Sequence, residues 1–295
     1  MTTDAATDLF EAHRPLLTGV AYRMLGRVAD AEDVVQDAWL RWSREDRAEV
    51  REPRAYLVRI TTRLAIDRLR QVQARGEAYV GPWLPEPYLT GFGDTAPDAA
   101  DHAVLADSVS LAVLVVMESL SPLERAVFVL REAFGYPYAE IAALLDRAET
   151  AVRQLAARAR RHVEERRPRY EVDPARRREL TERFLAAAGG GDLDGLMALL
   201  APDVRLVGDS GGKAKAPVRI LHTADKVGRF LIAVAQQQPQ AEQLYRFLET
   251  NGGPALLILS DGTPDSLVQV DVADGRVTTV YVVRNPDKLR HLAEH

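Results

Sequence analysis

Arginine is the residue type whose spacing stands out along this chain of 295 residues. Residues 147–178 carry eleven arginines against five acids, and residues 51–76 carry seven against Glu52 and Asp67. Between them, residues 77–124 hold eight acids and no lysine or arginine. A guanidinium is permanently charged and presents a planar fork of donors, which suits phosphates and the edges of bases. Spread evenly, a net charge of −5 would argue against nucleic acid. Two basic segments around an acidic connector argue the other way, because local charge decides such contacts.

Other chemistries find less support. There is no cysteine, which excludes a disulfide framework, a thiolate metal site and a cysteine nucleophile. Asp209, Lys213, His222 and Tyr281 could converge for proton transfer, yet no nucleophile–base pair or metal-ligand cluster is evident. Gly211, Gly212 and Lys213 could meet an anion but lack the spacing of a phosphate loop. His222 alone reads as structural. No cofactor, no metal and no enzymatic activity are expected.

The elements that position these residues follow from periodicity. In residues 30–42, DAEDVVQDAWLRW, Ala31, Val34, Val35, Ala38 and Trp42 form a helical stripe, with Asp30 as a candidate N-cap. Glu32, Asp33, Gln36 and Asp37 fall off that stripe. Pro53 opens a further helix whose apolar side is Tyr56, Ile60, Leu64 and Leu69. Arg59, Arg63, Arg68, Arg70 and Arg75 supply its charge. Residues 138–161 fit a helix-turn-helix: Ile141, Val152 and Leu155 pack the helices, and Asp146 takes the turn where glycine is commonest.

The acidic opening MTTDAATDLF lacks the pattern of a signal peptide, and the apolar run 111–117 is too short to span a bilayer. A cytoplasmic protein with no membrane partner is expected. Expected domains are 7–75, a linker 76–100, 101–167, a linker 168–173, and 174–295. All four lysines lie in the last of these. There, helices 175–188, 193–200 and 224–237 accompany five strand-like runs, VRLV, QLYRFLET, ALLILS, SLVQVDV and VTTVYVV. The turns between include NGGP, DGTPD and ADGR, so the region reads as α+β. The first linker is not a plain spacer, because Trp83, Leu84, Tyr88, Leu89 and Phe92 need a surface to bury against.

Three segments in series, at 30–42, 53–70 and 138–161, resemble the extracytoplasmic-function class of bacterial sigma factors. Arg63 stands where that class often has Asn. The remainder resembles a SnoaL-like domain of the NTF2-like fold, carried by one subgroup of the class. That subgroup's motifs match Trp83, Leu84, Pro85, Glu86 and Pro87 in the linker, and Asn285, Pro286, Asp287, Lys288 and Leu289 in the tail. Its Asp-Gly-Gly-Gly-Lys loop matches Asp209 to Lys213, with Ser210 replacing the first Gly.

The resemblance implies two all-α domains, the second with the helix-turn-helix, followed by a cone-shaped α+β barrel. It implies core RNA polymerase and promoter DNA as partners. Glu32, Asp33, Gln36 and Asp37 would face the polymerase; from the residues alone they equally suit a solvated surface. Arg59, Arg63, Arg68 and Arg70 would line the −10 segment. On the reading helix, Arg147, Thr150, Arg153, Gln154, Arg158 and Arg161 lie off the packing face, with Arg153 and Gln154 the base-reading candidates and Arg158, Arg160 and Arg161 nearer phosphate. The C-terminal domain is read as regulatory in cis, through the linker, the 209–213 loop and the 285–289 tail. An enzyme tethered to DNA and a sensor of an unidentified small molecule remain as alternatives.

Overall fold

A computed structural model describes residues 3–44, 50–75, 79–90, 110–166, 174–236 and 243–293. The chain forms two compact units, one of residues 1–77 and 93–167, the other of 78–92 and 168–295. Residues 78–92, read above as part of a linker, therefore count with the second unit.

In the first unit, α1 (Thr3–Leu25), α2 (Val28–Arg44) and α3 (Pro53–Arg75) pack on one another. The expected stripe of α2 is buried: Ala31, Val34, Val35, Ala38 and Trp42. Asp30 corrects the N-cap expectation, because α2 begins at Val28 and Asp30 lies inside its first turn. Buried there, its carboxylate is held by the Arg68 guanidinium at 2.6 Å. α3 begins at Pro53, but its buried face is broader than the expected line. Leu57, Val58, Ile60, Ala65 and Ile66 are buried together with Thr61 and Thr62, whereas Leu64 and Leu69 are half-buried. The cause is packing on two sides: α3 also meets the helices Pro122–Phe128 and Tyr138–Leu145.

α4 (Leu111–Met117) is the buried apolar run, capped by Ser110. α5 (Pro122–Phe128) opens on a capping box of Ser121 and Glu124 and runs into a π turn, Val129–Ala133. α6 (Tyr138–Leu145) and α7 (Glu149–Arg166) form the helix-turn-helix. Ile141, Ala142 and Val152 are buried between them and Leu155 half so. Asp146 ends α6 in the left-handed region, φ 55° and ψ 55°, donating its N–H to Ala142 O.

The second unit begins with α8 (Pro174–Gly189), stopped at Gly189, Gly190 and Gly191, the last with φ 73°. α9 (Leu193–Leu199) follows its Asp192 cap. Then come β1 (Leu200–Asp209), β2 (Leu221–His222), α10 (Ala224–Gln236), β3 (Gln243–Thr250), β4 (Gly253–Ser260), β5 (Thr263–Ala273), β6 (Arg276–Val283) and α11 (Pro286–Leu289), which runs into a 3-10 turn at Arg290–Leu292. The sheet order is β2-β1-β6-β5-β4-β3, with β1 and β6 parallel and the other pairs antiparallel. Asn251, Asp261 and Asp274, each followed by a glycine, adopt positive φ in the hairpin turns. Two successive residues with positive φ match the strand twist, which is why NG and DG dipeptides join these strands.

The sheet is open, which corrects the barrel expectation. Its edges are β2 and β3, and β2 is two residues long, too short to close against the eight-residue β3. One face is covered instead by helices. Leu180 and Phe184 of α8, Leu196 and Leu199 of α9 and Val227 of α10 pack with Val268, Val270, Val272 and Val280 of the sheet.

The left-handed turn at Asp146 yields a test. Asp146→Val should lower stability by about 1–2 kcal/mol, since a β-branched residue suffers most from Cβ crowding in that region. Asp146→Gly should cost nothing or stabilise. Urea denaturation of both variants checks this, and equal losses would contradict it.

Candidate functional site

α7 buries Val152, Ala156, Ala159 and Val163. One helical step away on the other side, Thr150, Gln154, Ala157 and Arg161 are all exposed, with Arg147 exposed just before the helix. Arg153 flanks this row. It is exposed, ion-paired with Glu149 at 2.6 Å and set 4.9 Å from the centre of the Tyr138 ring. A surface pair four residues apart is worth only about 0.3–0.5 kcal/mol, so it does not prevent the guanidinium from exchanging Glu149 for a stronger acceptor. Arg158 and Arg160 have a second use. They join α7 to the preceding elements through Glu124 at 2.8 Å and Glu132 at 2.6 Å.

On α3, Arg63 and Arg70 are exposed and Arg59 is half-buried against the Tyr56 ring, 5.3 Å away. Arg68 stands apart, because Asp30 already occupies it. Tyr56 in turn lies 5.9 Å from Trp42, whose indole N–H donates to Ala6 O, and Trp39 meets Phe10 edge-on at 5.1 Å. Those aromatic rings are thus engaged in packing. Arg75 lies at the end of α3, and its side chain is outside the described residues. On α2, Glu32, Asp33, Gln36 and Asp37 make one exposed polar face opposite the buried stripe.

In the second unit, the three motif segments meet around one carboxylate. Asp209 is fully buried at the end of β1. It accepts from Tyr79 OH at 2.5 Å, from Leu84 N at 2.8 Å, from Gly211 N at 3.1 Å and from the Lys288 ammonium at 2.7 Å. Lys288 is 3% exposed and also donates to Leu84 O. Its Nζ lies 4.2 Å from the centre of the Trp83 ring and 5.1 Å from that of Tyr79, so two aromatic faces complete its surroundings. Asn285 donates to Tyr79 OH at 2.8 Å, and Lys213 pairs with Asp287. Pro85, Glu86 and Pro87 are buried alongside. Pro87 O takes the His291 ring Nε2 at 2.7 Å. Farther on, Tyr88 O accepts from Asn251 N at 2.8 Å and Thr90 N donates to Glu249 O at 2.9 Å.

Ser210 fits where the subgroup has Gly because it is not in the left-handed region, unlike Gly211 at φ 56° and Gly212 at φ 75°. A Cβ on Gly211 would come within 2.5 Å of Asn285 Nδ2. The supposed proton-transfer group does not assemble. Asp209 and Lys213 belong to this linker contact, and His222 sits exposed on the edge strand β2. Tyr281 is buried and donates to Asp271 at 2.6 Å; burial first, then the Asp271 charge, pushes its phenol well above the usual range. Among the described residues no group of His, Asp and Glu is placed to hold a metal, and no helix is long and apolar enough to cross a membrane.

The model of Sigma-70 region 2 matches residues 9–75, and that of Sigma-70 region 4 matches residues 110–163. The ECF RNA polymerase sigma factor SigJ of Mycobacterium tuberculosis is 41% identical over 290 residues, spanning 95% of this chain and 91% of SigJ. This chain belongs to the extracytoplasmic-function sigma factors. A second relative, the probable ECF sigma factor SigI of the same organism, is 32% identical over 97% of this chain and 95% of its own length. The crystal structure of M. tuberculosis SigJ superposes with a TM-score of 0.77 at 38% identity, covering 96% of this chain and 98% of that one.

In this sigma factor, region 2 spans α1 to α3 and region 4 spans α4 to α7. Neither model reaches the linker contact, which the second unit supplies. Sequence reasoning missed Tyr79, Asn251 and His291 there. Tyr79 and Asn251 gave no signal beyond a tyrosine upstream of the motif and a turn asparagine.

Removing one partner of a buried ion pair strands the other charge. Lys288→Met should therefore lower the stability of the second unit by about 3–5 kcal/mol. Denaturant unfolding followed by tryptophan fluorescence checks it; a loss under about 1 kcal/mol would mean the pair is solvated.

Proposed function

We propose that this chain binds core RNA polymerase and directs it to promoters, and that its C-terminal unit acts in cis on the linker rather than as a catalyst. The face of α2 formed by Glu32, Asp33, Gln36 and Asp37 is the polymerase contact. Arg59, Arg63 and Arg70 of α3 serve the −10 element, with single-stranded DNA following the basic groove. Arg68 acts through Asp30, holding α2 against α3, so it positions the other arginines instead of touching DNA. The α7 row of Arg147, Thr150, Gln154 and Arg161, flanked by Arg153 and Arg158, enters the major groove at the −35 element.

The observation that carries the regulatory half is the closure of Asp209 and Lys288 on Leu84. The segment that they hold lies in sequence between regions 2 and 4. Twelve residues, 79–90, are docked on the second unit. Left free, a segment of that size would extend up to about 40 Å. Docking removes that reach from the connection between the two DNA-binding regions, and release restores it. Against catalysis stands the engagement of Asp209 and Lys213, two of the four proton-transfer candidates, by Lys288 and Asp287.

In vitro transcription with core polymerase tests the reading. Full-length protein should support promoter-specific initiation, and a chain ending near residue 168 should support it at an altered level. Within that assay, Arg153→Ala should relax base preference in the −35 element, costing about 1–3 kcal/mol of discrimination. Arg161→Ala should weaken all sequences alike and flatten the salt dependence by about one counterion. Sequence profiles of Arg153→Ala identical to the parent would remove Arg153 from the reading face.

A further inference from the structure

The second unit contains a cavity that the linker contact does not use. It has a volume of about 370 Å³ and lies between α8, α10 and the sheet. That falls within the range of small-molecule sites, roughly 300–1,000 Å³. Phe184, Leu185, Phe230, Leu231, Ile258 and Val282 give it an apolar wall. The charged part of its lining is gathered around Arg284, which donates to Asp265 at 2.6 Å and to Lys215 O at 2.8 Å. Arg284 Nε is buried and has no hydrogen-bond partner among the described residues. Lys215 and Arg284 against Asp265 leave one unit of positive charge on the lining.

We propose that this cavity binds a small monocarboxylate with an apolar body. An apolar wall with a few clustered polar groups is the usual form of such sites, the wall taking the body and the polar groups fixing the head. The carboxylate neutralises the excess charge carried by Lys215 and Arg284, while the body lies against Phe184 and Phe230. A neutral or cationic head would leave the charge uncompensated.

Arg284 also links the cavity to the linker contact. Its backbone N–H donates to Asp209 O at 2.6 Å. The residue after it is Asn285, which holds Tyr79. A ligand that moves the guanidinium away from Asp265 therefore acts on the strand end from which Asp209 and Asn285 project. This consequence rests on the cis-acting role proposed above; the binding itself does not.

The test uses octanoate as probe and the full-length chain, read by isothermal titration calorimetry. Octanoate should bind once per chain, saturably, and with a negative heat-capacity change from apolar burial. Octan-1-ol, the same tail without the carboxylate, should bind at least tenfold more weakly. Arg284→Gln should weaken octanoate at least tenfold. Ala235→Trp, which fills the cavity from α10 and leaves Arg284 in place, should do the same and covers the case in which Arg284→Gln fails to fold. Trp83 lies outside the cavity, so by linkage Trp83→Ala should change octanoate affinity at least threefold if ligand and linker are coupled. No saturable heat at millimolar octanoate, equal affinity for octanol, or undiminished binding by Ala235→Trp would overturn the site and leave the transcription reading untouched. Unchanged affinity in Trp83→Ala would overturn the coupling alone.

Discussion

A charged aspartate with no exposure and a lysine with 3% exposure are tolerable in a protein interior only together. Asp209 and Lys288 meet that condition, and the second unit is arranged so that they do. β1 and β6 lie parallel and adjacent, which brings the end of one strand beside the start of the tail that follows the other. Neither charge is satisfied by its partner alone. Asp209 has lone pairs left over, and they take Tyr79 OH and Leu84 N; Lys288 has protons left over, and one goes to Leu84 O. The linker is thus part of the solvation of a buried ion pair. That differs from an apolar patch, which would accept any greasy segment: the pair requires a backbone N–H and a backbone carbonyl from the same residue, and so specifies the register of the docked chain.

The first unit has a parallel division between side chains that hold the fold and polar side chains left exposed. Asp30 with Arg68 and Arg125 with Glu118 tie elements together, and Arg158, paired with Glu124 but still exposed, stands in both groups. Arg63, Arg70, Gln154 and Arg161 stay exposed. In a chain so rich in arginine, composition does not separate the two groups; an acid on another element does, since Arg70 pairs with Asp67 of its own helix.

That distinction explains what was legible in the sequence. Periodicity identified the buried stripe of α2, the helix-turn-helix with its left-handed Asp146, and the strands, because burial and turn chemistry are local or nearly so. Local reasoning failed where a distant partner decided the outcome. Asp30 looked like a cap because nothing nearby shows Arg68, which is 38 residues on. β2 is two residues whose pairing comes from β1 alone. Tyr79 and His291 act across more than 100 and 200 residues respectively, and neither carries a motif of its own. The apolar content of the linker did signal that it needed a surface; the surface it found is as much ionic as apolar. The expectation of a closed barrel came from the resemblance, and the shortness of β2 leaves the sheet open.

In the free protein the C-terminal unit holds residues 79–90. Amide hydrogen exchange measures this directly, because the Leu84 and Thr90 N–H groups are bonded to Asp209 and Glu249. Both amides should exchange as slowly as those of the outer strands of the sheet, and Leu84 should lose that protection when Lys288 is replaced by Met. Exchange of Leu84 and Thr90 at the rate of an open chain, in the unmodified protein, would mean that the segment is not docked.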